Sequence, residues 1–111
     1  MSAAIALRYE DDTSNPVATM TAVAVQATGL TVQVTQTSQH IIDGVLAAAI
    51  RYYLTGERVG SDDLVSPRFE GAAYTWDNLV IPTAGSWTFH VRKDSDDSSV
   101  ANSGAITFDA A

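Results

Sequence analysis

Apolar and polar residues alternate one by one in the first third of the chain. In residues 30–35, Leu30, Val32 and Val34 alternate with threonine and glutamine. This pattern predicts a strand with one buried face, because successive side chains of a strand point to opposite sides. Two earlier segments alternate in the same way, with apolar residues at Ile5, Leu7 and Tyr9 and at Val23, Val25 and Ala27. We therefore expect three strands before residue 37, separated by short polar breaks at residues 11–16 and 28–29.

The last third shows the clearest alternation. Trp87, Phe89 and Val91 face one way and polar residues the other, which is typical of a half-buried strand. Residues 73–81 are rich in aromatic and β-branched residues and lead into the Pro82 connection, so they predict the preceding strand. A polar run over residues 93–104 separates the Trp87 strand from a short closing strand at residues 105–108.

Residues 41–54 allow two interpretations. Apolar residues recur there with a helical period, and three consecutive alanines favour a helix. Gly44 and the β-rich residues 50–54 favour a strand instead. A short helix and a strand are both open at this point. Residues 56–70 read as a long irregular connection that could include an edge strand.

Six or seven short strands separated by turn signals predict an all-β, antiparallel sandwich. Residues 74–91 resemble the region from strand E through a turn to strand F of bacterial and viral immunoglobulin-like modules, and residues 30–34 and 43–45 resemble strand B and the approach to strand C. The resemblance covers residues 21–109 and implies an immunoglobulin-like sandwich of about seven strands. The chain lacks the two cysteines of antibody-type domains. We expect one domain over residues 1–111, with residues 17–109 as the sandwich core and residues 1–16 as a strand and loop that could act as an arm.

Composition narrows the classes of partner. Thirteen acidic and six basic residues give a net charge of −7, which disfavours binding to nucleic acid and to anionic membranes. The absence of cysteine excludes disulfides, thiol chemistry and cysteine-bound zinc. The N-terminus has no basic region before its short apolar stretch, so we expect neither a signal peptide nor a membrane span, and we expect synthesis in a host cytoplasm.

Few residues could carry chemistry. His40 and His90 are expected to be surface histidines, because no spacing typical of a nucleophile accompanies them. The acidic run at residues 94–99 could form a loose calcium site or a solvated turn. An EF-hand loop is excluded, because Ser99 stands where its glycine belongs and Ala105 where its glutamate belongs. We predict no catalytic, cofactor-binding or metal-binding residue, and no cofactor.

Aromatic and small residues suggest possible contact surfaces. Trp76 falls on the face opposite Leu79 unless a bulge near Asn78 returns it to the core, so its exposure is open. If exposed, Trp76 could stack on a sugar together with Tyr52 of the Tyr52–Tyr53 pair. Small apolar residues, Ala22 and Ala24 opposite Val23 and Val25 and Ala47–Ala49 further on, suggest that either the chain itself or a neighbouring subunit covers an outer face.

An acidic, cysteine-free sandwich without a catalytic set is similar to the decoration or cement proteins of tailed-phage capsids. That resemblance implies a structural virion component on the capsid surface, bound to the major capsid protein or another repetitive protein surface. It also implies a homo-oligomer, possibly a trimer, in which the first strand could pair with a neighbour. The alternative is a carbohydrate- or ligand-binding accessory module of a larger surface or tail assembly. An enzyme is disfavoured.

Overall fold

A computed structural model describes residues 2–12, 14, 16–23, 30–36, 39–70 and 73–108, with side chains for all of these except residues 2–5, 16–23, 30 and 78. Within these ranges the protein is all-β and antiparallel, as the alternation predicts. Its strands are β1 (Ser2–Tyr9), β2 (Pro16–Val23), β3 (Leu30–Thr35), β4 (Ile41–Ile42), β5 (Val45–Leu46), β6 (Arg51–Glu57), β7 (Leu64–Val65), β8 (Phe69–Glu70), β9 (Ala73–Leu79), β10 (Gly85–Lys93) and β11 (Ser99–Phe108).

Most strands follow one another in a single hydrogen-bonded path. The order is β7-β6-β10-β11-β1-β2-β3-β9, and β8 also pairs with β6. Strand β1 connects the two halves of this path, because its residues from Ser2 onward pair with β2 while Arg8 and Tyr9 also pair with β11. Strand β1 is therefore a member of the sheet with partners on both sides.

The core consists of the apolar faces of strands from both halves of the path. Trp87, Phe89 and Val91 of β10 are almost fully buried, in one cluster with Val32 and Val34 of β3. Full burial of a side chain such as Phe89 or Val91 contributes about 1.5–3 kcal/mol. The indole Nε1 of Trp87 donates a hydrogen bond to the Thr83 carbonyl at 2.9 Å, so its polar group is satisfied. The predicted facing of the Trp87 strand is confirmed.

Residues 41–54 form neither a single helix nor a single strand. Strands β4 and β5 make a small hairpin, a single 3-10 turn occupies Ala47–Ala49, and β6 begins at Arg51. The hairpin turns at Asp43 and Gly44, whose φ angles are 53° and 78°. An Asp-Gly pair favours such a two-residue turn, because both residues tolerate positive φ. This local preference interrupts the helical period, and the three alanines lie in the 3-10 turn, outside the sheet.

Strand β9 contains the bulge expected near Asn78. Leu30 pairs with Leu79, whereas Val32 pairs with Trp76, so β9 has one more residue than β3 between these two pairs. The extra residue turns Trp76 toward the same side as Leu79. Trp76 is partly buried and packs against the core, so its side chain is neither fully exposed nor a member of the buried cluster.

Two other segments differ from the expectations, and part of one expected strand lies outside the described residues. The polar run ends sooner than expected, because β11 begins at Ser99 and only residues 94–98 turn between β10 and β11. The connection over residues 56–70 contains two short strands, β7 and β8, that pair with β6. Val25 and Ala27, expected in the second strand, lie outside the described residues.

Candidate functional site

The β4–β5 hairpin carries a group of exposed apolar side chains. Ile41 pairs with Leu46 across the hairpin, and Ile42 pairs with Val45. Directly paired residues share a face, so Ile41 and Leu46 face one way and Ile42 and Val45 the other. Ile42 is buried against the core, whereas Ile41, Leu46 and Val45 are 56%, 46% and 44% exposed. We call Ile41 and Leu46, which share the outward face, the hairpin patch; Val45 lies on the opposite face with Ile42.

Several contacts fasten the hairpin to the sheet. The backbone N–H of Ala47 donates to the His40 carbonyl at 2.7 Å, which closes the hairpin at its base. The His40 ring stacks on Tyr9 of β1, with centroids 3.6 Å apart and planes within 8°. Its Nε2 lies 3.1 Å from an Asp11 carboxylate oxygen. Because an isolated two-stranded hairpin is only marginally stable, these contacts are what hold the patch in place. His40 is half-buried, so its assignment as an exposed surface histidine is wrong.

Lys93 provides a further attachment. It continues the inward-facing series of Phe89 and Val91, and its pairing with Tyr52 places the two side chains on the same face. The ammonium is paired with the carboxylate of Asp43 at the hairpin turn and lies 3.6 Å from Asp96. The hydrogen bond with Asp43 raises the pKa of Lys93, so the lysine remains charged although it is buried. Sequence analysis missed this residue, because Lys93 reads as the start of a polar run.

A cavity of about 190 Å³ lies at the base of the hairpin. It holds three carboxylates and one ammonium. Its lining residues are Glu10, Asp11, Ile42, Asp43, Lys93, Ser98, Ser99 and Val100. Two of these residues, Ile42 and Asp43, belong to the hairpin, so the hairpin forms part of the cavity wall.

The carboxylates in the acidic run at residues 94–99 accept hydrogen bonds from other groups of the same chain. Asp94 receives a hydrogen bond from Arg68 Nε at 2.8 Å, and Asp97 receives one from the Tyr53 hydroxyl at 2.6 Å. Asp96 receives hydrogen bonds from both the backbone N–H and the hydroxyl of Ser98. The carboxylates thus turn toward different neighbours around the β10–β11 turn. Among the described residues, no group of three or more histidine, aspartate or glutamate side chains is placed to hold a metal ion.

His90 belongs to a polar network on the outer side of β10, and it too is half-buried, contrary to the expected surface histidine. Its Nδ1 lies 2.8 Å from Ser99 Oγ, and its Nε2 lies 3.9 Å from Glu57, which is beyond hydrogen-bond distance. The Ser99 hydroxyl also lies within donating distance of the Glu10 carboxylate and of the Ala101 carbonyl, the latter at 3.2 Å.

A sugar-stacking platform that includes Tyr52 is ruled out by burial. Tyr52 is fully buried and Tyr53 nearly so, and the Arg68 guanidinium covers the Tyr53 ring at 4.0 Å. Trp76 is half-buried against the core. The accessory-module alternative therefore keeps only the free part of Trp76 as a contact.

The described residues include no helix long and apolar enough to cross a membrane.

The hairpin patch was not predicted from the sequence, although Asp43-Gly44 between apolar pairs was the signal that could have located it. No protein-family model, no curated protein and no solved structure matches this chain.

Proposed function

We propose that this protein is a non-catalytic structural component that binds an assembled protein shell, as a capsid decoration or cement protein of a virion does. Its fold in this proposal is an immunoglobulin-like sandwich. Synthesis in a host cytoplasm and residence on the capsid surface follow from this role. The first partner is the major capsid protein or another repetitive protein surface.

The strand order supports the immunoglobulin-like assignment. Strands β2, β3 and β9 are neighbours in the order expected for strands A, B and E, and β6, β10 and β11 in the order expected for C, F and G. Strand β1 is an addition that joins the two groups through its pairs with β2 and β11. In this arrangement the β4–β5 hairpin lies in the connection between strands B and C, at one end of the sandwich.

The hairpin patch is the observation that carries the proposal. Clustered exposed apolar side chains on a fixed element are typical of protein contact surfaces. Binding through such a surface needs no reactive group and no cofactor. Many copies on a symmetric shell could bind stably even if each single contact were weak, provided that linked copies engage together.

Co-sedimentation tests the proposal. Purified protein is mixed with assembled shells of a major capsid protein, and we expect the wild type to pellet with them. Leu46→Ser removes apolar surface from the hairpin patch without adding a charge and should weaken binding by about tenfold or more. Val59→Ser is the matched control, because Val59 is 97% exposed and lies outside the hairpin. Failure of the wild type to pellet, or equal losses in both variants, would overturn the proposal.

Self-association is a second part of the proposal. Strand β9 ends the hydrogen-bonded path and pairs only with β3 among the described strands. A second copy could add a strand at this edge, since edge strands present unpaired backbone groups. Light scattering on the purified protein measures the outcome: a trimer or other oligomer supports this part, and a monomer at all concentrations contradicts it.

A further inference from the structure

Resting on the assembly function proposed above, we propose that the partner surface at the hairpin patch is positively charged around an apolar centre. An apolar side chain of the partner covers the hairpin patch, and a neighbouring lysine or arginine of the partner faces the acidic cavity at the hairpin base.

The apolar part of this surface is defined by the hairpin geometry. Ile41 and Leu46 are cross-strand partners on the outward face, so their side chains are neighbours. The inward Ile42 is buried, and the Lys93–Asp43 ion pair holds the turn. A surface that is already ordered before binding loses little conformational entropy on docking.

Charge determines the kind of partner. The cavity at the base of the hairpin, which Ile42 and Asp43 of the hairpin line, contains the carboxylates of Glu10, Asp11 and Asp43 and one ammonium, that of Lys93, which leaves two negative charges in excess. A second cavity, of about 430 Å³, contains two arginines against two aspartates and has no excess charge. The whole chain has a net charge of −7. A second copy would meet this surface with like charges, whereas a basic protein surface would complement it.

The first test uses a small basic probe and does not depend on the shell. Acetylated trilysine amide is titrated into the ¹⁵N-labelled protein at low ionic strength, with acetylated triglutamate amide as the control. We expect the amide shifts caused by trilysine to concentrate at residues 10–11, 41–46 and 98–100. Shifts that are spread evenly, or that centre on the exposed Asp62 and Asp63, would overturn the inference.

The second test uses the shells and charge-neutral variants. The double variant Glu10→Gln/Asp11→Asn keeps side-chain size, and in Asp11→Asn the amide oxygen can still accept a hydrogen bond from His40. Asp62→Asn/Asp63→Asn removes the same charge from residues that do not line this cavity. We expect the first variant to lose about tenfold in shell affinity and the second less than about twofold, with affinity falling as salt rises. A shell affinity that is unchanged both by salt and by Glu10→Gln/Asp11→Asn overturns this inference and leaves the assembly function standing. Absence of wild-type binding overturns the assembly function itself.

Discussion

The ammonium of Lys93 pairs with the carboxylate of Asp43, fifty residues earlier in the chain. The two side chains differ in their surroundings, because that of Lys93 is 10% exposed and that of Asp43 is 69% exposed. The buried ammonium of Lys93 therefore needs the ion pair to compensate for lost water, whereas the carboxylate of Asp43 remains hydrated. The pair connects the end of the core face of β10 to the turn of the hairpin.

This asymmetry predicts unequal effects of removing each partner. Asp43→Asn leaves Asp96, at 3.6 Å, as the one remaining ion-pair partner of the buried ammonium among the described residues and should lower the free energy of unfolding by about 2 kcal/mol. Asparagine also tolerates the positive φ at this position, so the variant measures the loss of the negative charge without added backbone strain. Lys93→Met should cost less than about 1 kcal/mol, because methionine suits the buried site and Asp43 stays hydrated. Urea denaturation of both variants measures the difference, and a larger loss for Lys93→Met would contradict the account.

The Tyr52 hydroxyl is buried and has no hydrogen-bond partner among the described residues. Tyr52→Phe removes a polar group whose burial is not compensated, so we expect the free energy of unfolding to stay unchanged or to rise by about 1 kcal/mol. Tyr9→Phe is the matched control. The Tyr9 hydroxyl donates to Gln36 Oε1 at 3.2 Å, and its loss should cost about 1 kcal/mol. If both variants lose stability equally, Tyr52 has a partner that this structure does not show.

Alkaline pH should destabilise the fold. Burial, with a smaller contribution from Asp11, raises the pKa of Tyr9 to about 12, and burial also raises the pKa of Tyr52. Unfolded tyrosines ionise near pH 10, so above that pH the unfolded state releases protons that the folded state retains. The raised pKa of Lys93 acts in the same direction, since its contribution is present below the unfolded lysine pKa and is lost as pH rises through the folded one. Denaturation should show constant stability between about pH 8 and pH 9 and a fall above about pH 10. Tyr52→Phe should make the fall shallower, and stability that rises above pH 10 would refute the assignment.

Removal of metal ions should have no effect on stability. The carboxylates of Asp94, Asp96 and Asp97 receive hydrogen bonds from an arginine, a serine and a tyrosine, so they are not directed at a common point. A calcium site would add stability that grows with ion concentration, because the ion would bind only the folded state. Thermal melts in EDTA and in excess calcium should therefore coincide. A lower melting temperature in EDTA that calcium restores would establish a metal site in the turn.

The strands that sequence analysis located best are those with a large apolar side chain at every second position. Trp87, Phe89 and Val91 fix the facing of β10, because a shift of one residue would expose all three. The bulge in β9 was one of two open alternatives, because the sequence alone did not decide whether Trp76 faces the core. The three large apolar residues of β10 had only one favourable orientation.

The candidate site was less predictable, because long-range pairs create it. Lys93 is buried because the inward-facing series of β10 extends to it, and its ammonium forms an ion pair with Asp43. His40 is covered because Tyr9 lies beside it. Neither partner is near in sequence, and local patterns record only the neighbours along the chain. The 3-10 turn at Ala47–Ala49 shows the same limit, since its alanines satisfy a helical pattern that the preceding hairpin cuts short.

Gly56 and Phe89 are opposite each other on β6 and β10, and their closeness predicts a strong coupling between them. A Cβ atom on Gly56 would stand 2.8 Å from Phe89 Cε1 and 3.4 Å from Leu64 Cδ1. Phe89 cannot move aside, because its ring is buried and packs edge-on against Phe108. Gly56→Ala should therefore lower the free energy of unfolding by about 1–3 kcal/mol.

A double variant separates this clash from any other effect of the alanine. Phe89→Leu alone should also destabilise the core, because it removes buried apolar atoms. In the Gly56→Ala background the shorter leucine leaves room for the new methyl group. The double variant should therefore lose less stability than the sum of the two single-variant losses, with a coupling of about 1 kcal/mol. Urea denaturation of the wild type, both single variants and the double variant measures this coupling. Strictly additive losses would mean that the methyl group does not meet the Phe89 ring, and that β6 and β10 are spaced more widely than the structure shows.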